Sequence, residues 1–192
     1  MPASAALRTA DFLDQMTRAV EEARTVAQER FRPLNEDQLN RRPSPSKWSV
    51  GQCLEHLNII GGLYLPVMTQ RVRKAKERGA RPAEYVKNGF IGRRLTEAML
   101  TPARERPMKA PQQFAPSGSR LPRTVVEVFI RQLDELLNVL QQARDVNANA
   151  VRIPNTLIPL VRLRLTDQFA FLVAHLQRHV AQAERVLDSQ PR

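Results

Sequence analysis

His175 and His179 stand four residues apart in "FLVAHLQRHVAQAERVL", and the chain's only other histidine, His56, stands in "KWSVGQCLEHL". Residues four apart on a helix share a face one turn apart, so two imidazoles at that spacing reach a common point. A neutral imidazole nitrogen suits zinc, nickel, copper and iron, so the pair points to a metal ion without choosing it. Both lie in an apolar stripe, where an imidazole without a partner is costly to bury. His56 lies two turns into another helix, beside the face carrying Cys53, Ile60 and Leu63, and a bundle can bring two such helices together around one ion. Three nitrogen ligands leave positions open for water or substrate, unlike closed structural zinc sites with four protein ligands. The competing reading gives each histidine its own hydrogen-bond partner and no metal. The three taken together favour the metal.

Three neighbours bear on that site. Gln182, three residues after His179, is placed to orient it, to hold a metal-bound water, or merely to face solvent. Cys53, three residues before His56, either reaches the ion or packs as a small hydrophobe, the commoner fate of a buried free cysteine. Glu55 points elsewhere on its helix and reads as a surface charge, not a general base.

Four helices must position these residues. Phe12, Met16, Ala19, Ala23, Val26 and Phe31 mark the first apolar stripe. Pro33, Pro43 and Pro45 then break it. A second helix starts at Ser49, whose S-x-x-Q spacing to Gln52 spells a capping box, with Trp48 placed to staple onto it. Val50, Cys53, Leu57, Ile60 and Tyr64 follow on one face, and Pro66 after Gly61-Gly62 is expected to kink or end the helix. A third is predicted from a second capping box, Thr124 to Glu127, with Val125, Phe129, Leu133, Leu136 and Leu140 inward. The fourth begins near Thr166, where Asp167 complements the helix dipole. Its inner face reads Phe169, Leu172, His175, Leu176, His179, Ala183, Val186. "AVRIPNTLIPLVRLRL" lacks strand alternation, and Pro154 and Pro159 predict an extended linker. The fold class is therefore all-α: a four-helix bundle with long crossover connections.

The chain's 192 residues suit a single domain, 1–192. Its formal charge of +11 is uneven. Residues 71–123 carry 14 Lys and Arg against 4 Asp and Glu, whereas the other 139 residues balance 16 against 15. That stretch includes a basic, proline-rich connection around 79–123, with Pro82, Pro102, Pro107, Pro111, Pro116 and Pro122 and a short helix expected around "GRRLTEAML". The cluster would neutralise phosphates in a salt-sensitive way. No DNA- or RNA-binding motif accompanies it, so no specific nucleic-acid partner is expected; a solvated face or attraction of an anionic small substrate is. No apolar run spans a membrane, and no basic-then-apolar leader opens the chain, so neither membrane nor signal peptide is expected. The single cysteine, Cys53, favours a reducing, cytoplasmic setting.

The combination of "KWSVGQCLEHL", with its W-S…H-L pattern, the late "HLQRHVAQ" and four helices with long links resembles the DinB-like superfamily of metal-binding four-helix bundles, from about Phe12 to Leu187. The resemblance implies an up-down-down-up helix order and one divalent ion, nickel or zinc most often, held by His56, His175 and His179. It implies a small-molecule substrate and, as in many members, a homodimer. Members include thiol transferases and thiol-dependent isomerases, and others are assigned as hydrolases. The function it implies here is a metal-dependent enzyme, foremost a transferase using a low-molecular-weight thiol. A metal-dependent hydrolase and a non-enzymatic module braced by its metal are the alternatives. The basic, proline-rich connection departs from the family's simplest pattern.

Overall fold

The computed structural model describes residues 6–100, 110–118, 120–156, 158 and 160–190. Pro102, Pro107 and Pro159 lie outside the described residues. The predicted first stripe forms α1 (Thr9–Val26), which widens over Ala27–Phe31 into a π-helical turn closed by Arg32 N–H on the Ala27 carbonyl at 2.9 Å. The wider turn carries Phe31 into the core, fully buried. The proline-rich break contains a one-turn helix that the sequence reading missed, α2 (Glu36–Asn40), capped by Asn35 and Gln38 in a reciprocal box.

The predicted box at the next helix forms as expected. Ser49 Oγ accepts from Gln52 N–H and Gln52 Oε1 accepts from Ser49 N–H, each at 3.1 Å, and α3 runs Val50–Glu77. Pro66 does not end it. The proline and Gly62, whose carbonyl loses its helical donor, both face solvent, so water can satisfy that carbonyl. Leu63 turns outward at 40% exposure and does not share the core face with Cys53 and Ile60. The short helix expected in the basic connection is α4 (Phe90–Leu100).

The second predicted capping box is absent. Thr124 is already inside α5 (Thr124–Ala143), behind an Arg123 cap with no side-chain bond. The amides of Val125 and Val126 instead bond the carbonyls of Pro122 and Arg123, and Glu127 is drawn off to Arg32 Nε at 3.1 Å. The expected extended linker is also corrected. It folds into an antiparallel hairpin, β1 (Arg152–Pro154) with β2 (Arg162–Arg164), burying Ile153 and Leu163. The last helix, α6 (Leu165–Asp188), starts one residue before the predicted Thr166.

Side-chain pairings fix the directions of the four long helices. Arg24 meets Asp134 at 2.9 Å and Asp14 meets Arg144 at 2.6 Å, so α1 and α5 are antiparallel. Arg30, just past α1, pairs with Glu184 at 2.5 Å and with Asp188, so α1 and α6 are parallel. Asn58 bonds the Val125 carbonyl at 2.9 Å and Lys76 meets Asp145 at 2.7 Å, so α3 and α5 are parallel. His56 faces His175 while Tyr64 bonds Thr156, ahead of α6, so α3 and α6 are antiparallel. The order is up-down-down-up. The connection from α3 to α5 therefore travels back along the bundle, as its length allows.

That return path is pinned to α6. Gly89 N–H bonds both carboxylate oxygens of Asp167, at 2.9 and 3.2 Å, and a Cβ on Gly92 would lie 2.4 Å from Asp167 Cβ. Glycine is required there by the closeness of α4 to α6. Asp167 is buried, and burial raises its pKa against the lowering effect of the Gly89 amide. Among the described residues no helix is long and apolar enough to cross a membrane.

Candidate metal centre

The capping box at Ser49 sets the start of α3, and from that start His56 falls on the face turned to α6. The spacing of four sets His175 and His179 on the facing side of α6. The result is one cluster: the three histidines can offer ligand atoms that all lie within 4.8 Å of one another. His56 Nε2 and His175 Nε2 are 3.0 Å apart, and the three ring centroids are 4.6–4.9 Å apart. Two nitrogens each about 2.0–2.1 Å from one ion are about 3 Å apart, so this spacing suits a shared cation. Cys53 and Glu55 are not in the cluster.

Hydrogen bonds fix two of the tautomers. His56 Nδ1 lies 2.6 Å from the Phe114 carbonyl, which can only accept, so Nδ1 carries the proton and Nε2 keeps its lone pair. His179 Nδ1 donates likewise to Gln182 Oε1 at 3.0 Å. Of the roles open to Gln182 in the sequence, the structure shows the orienting one. Phe114 was not foreseen. Its carbonyl arrives on the basic connection, held by Ser117, whose N–H (3.0 Å) and hydroxyl both bond the Glu55 carboxylate. Gln52 Nε2 adds a bond to the Gly118 carbonyl at 3.0 Å. Glu55 thus fastens the segment that orients His56, beyond the surface charge read from sequence.

Trp48 closes one side. Its ring centroid lies 5.1 Å from that of His56 and 5.7 Å from that of His179, nearly parallel to the latter at 24°. Phe171 stacks on His175 at 5.9 Å. Burial disfavours the imidazolium forms in this apolar casing. It lowers the His56 pKa against the raising effect of the Phe114 carbonyl, and holds His175 well below the usual histidine value. His179 falls to about 3 through burial and then the positive charge His56 would carry. All three are neutral at pH 7, the form that binds metal. Burial pushes the Cys53 thiol up to about 12, so it stays protonated and packs in the core.

Neutral imidazoles with converging nitrogens, His56 and His175 buried and His179 half-buried, with the outer nitrogens of His56 and His179 hydrogen-bonded, fit a divalent ion. Fold and cluster together define a four-helix bundle with a histidine triad between antiparallel helices. The chain belongs to the DinB superfamily, whose family model matches residues 19–183. Comparison with curated proteins and with solved structures finds no match.

Proposed function

We propose that His56, His175 and His179 hold one divalent ion, nickel or zinc, and that the protein is a metal-dependent enzyme joining a low-molecular-weight thiol to a small electrophile. The observation that carries the reading is a ligand set of three neutral imidazoles without a carboxylate. Such a set cancels none of a divalent charge, and Arg178 adds a positive field at His175 and His179. An anionic further ligand is therefore favoured, as a thiolate would be. When bound, the ion supplies a cationic centre that lowers the pKa of a coordinated thiol or water.

The chain's own residues have defined tasks in this reading. Gln182 and the Phe114 carbonyl keep the outer imidazole protons in place, so the inner nitrogens of His179 and His56 stay free of them. Trp48 and Phe171 shield the rings from water. Cys53, buried and protonated, is no nucleophile, so the reacting sulfur comes from the thiol substrate. In the transfer a sulfur–carbon bond forms, the thiol proton passes to solvent, and the leaving group departs with the electrons of the bond it breaks.

The test is elemental analysis of untagged protein, followed by incubation with common cellular thiols and a generic electrophile. The expected result is up to one nickel or zinc per chain and metal-dependent thiol consumption, abolished by chelation or by His175→Ala. Cleavage of esters or amides without thiol consumption would replace this reading with hydrolysis. Metal that only raises the melting temperature would make it a structural brace.

A further inference from the structure

A cavity runs between α3, α5 and α6 and has His175 in its wall. It is narrow, with a volume of about 50 Å³, room for a group of a few carbon atoms and not for a whole drug-sized ligand. Eight of its eleven lining residues are Leu, Ile or Phe, among them Ile60, Leu65, Phe129, Leu136 and Leu172. The other three are Gly61, Gln132 and His175, so among the described residues no charged side chain lines it. Gly61 and Gln132 are half-buried while every other lining residue is buried. The mouth therefore opens at the α3–α5 seam, and His175 lies in the buried part.

The rim is built with little space to spare. Gln132 Nε2 donates to the Asn58 carbonyl at 3.1 Å, which lays the amide across Gly61. A Cβ on Gly61 would meet Gln132 Oε1 at 2.3 Å. Glycine at 61 thus leaves room for the one polar side chain at the mouth. A bundle core of this composition would ordinarily close on itself. Here an apolar space instead reaches from solvent to a cluster histidine.

We propose that this cavity is the binding site for the uncharged, apolar arm of the small-molecule substrate, with Leu136 setting the length of arm accepted and Gln132 bordering its entrance. Eight aliphatic or aromatic side chains offer an alkyl or aryl group dispersion contacts and release from water, and they offer a charged group nothing. An arm lodged there would point its reactive end at His175. The assignment rests on the proposed metal-dependent chemistry for its purpose, but the cavity can be probed without it.

The experiment measures binding of neutral primary alcohols, ethanol to octanol, by thermal shift and by displacement of a bound apolar dye. It uses the full-length protein as purified and again after chelation. Affinity should rise about fourfold per added methylene until the chain fills the cavity, in both forms. Leu136→Phe should shorten the longest alcohol accepted by two methylenes or more. If that variant does not fold, Leu136→Val should lengthen it by at least one. No dependence on chain length, or the same dependence in the Leu136 variant, overturns the assignment. Metal uptake measured on the same samples separates the two readings: chain-length dependence without metal uptake sinks the metal reading alone, and metal uptake without it sinks the cavity alone.

Discussion

Acidifying the metal-free protein from pH 7.5 to pH 5 should destabilise it, and His179 alone should account for about 2 kcal/mol. In the folded chain the His179 pKa is about 3, against an ordinary value of 6.5. The unfolded chain therefore takes up a proton below pH 6.5 that the folded chain refuses, and the equilibrium shifts toward unfolding. The stabilisation is complete above pH 6.5 and is lost as pH falls from 6.5 toward 3. At pH 5 the window crossed is 1.5 units, and about 1.36 kcal/mol per unit gives about 2 kcal/mol. For a domain of this size that lowers the melting temperature by about 4–8 °C. His56 and His175 are shifted in the same direction and add to the loss. The assay is urea unfolding at each pH with a chelator present, in wild type and in His179→Leu. The groups outside the cluster are common to both proteins, so the difference between their pH slopes reports His179 together with its coupling to His56 and His175. Equal slopes would refute the claim that the folded chain holds this imidazole neutral.

Gln182→Leu should leave the fold intact but weaken metal binding about 10- to 100-fold, read by competition with a calibrated chelator, because His179 loses the acceptor that fixes its tautomer. Gly92→Ala should cost about 1–3 kcal/mol in urea unfolding, because its methyl group would meet Asp167 Cβ, which is too close to the backbone to yield. Unrelated DNA duplexes should bind weakly, alike and with steep salt dependence, as judged by fluorescence anisotropy; a salt-resistant preference for one sequence would overturn the expectation of no specific nucleic-acid partner. Lys76, at the basic end of α3, lies about 30 Å along the helix from His56, so Lys76→Glu should leave metal affinity unchanged.

The parts of this fold written in local sequence were legible, and those decided by distant partners were not. Ser49 with Gln52 and Thr124 with Glu127 spell the same capping signal, yet only the first closes. Glu127 finds Arg32, 95 residues away in the chain, and the Val125 and Val126 amides find backbone carbonyls. Pro66 reads as a helix end, but the break it threatens lies on the solvent side of α3. The hairpin before α6 has strands of three residues, too short for alternation to show. The His175–His179 pair was visible because helical period and ligand spacing coincide. His56 joins it only when α3 and α6 pack antiparallel. The Phe114 carbonyl had no signal at all, since a backbone oxygen leaves no mark in residue type.

Trp48 is the chain's single tryptophan, and its indole sits against two of the three imidazoles. The intrinsic near-ultraviolet emission of this protein is therefore a local gauge of the histidine cluster, with no other indole to dilute it. Open-shell ions such as nickel(II) or copper(II) held that close quench an excited indole, whereas closed-shell zinc leaves its intensity largely intact. One titration of unlabelled protein can thus count an ion's arrival and sort it by electron configuration. Zinc added afterwards restores the light if it displaces a quencher, which makes the native chromophore a competition assay in its own right.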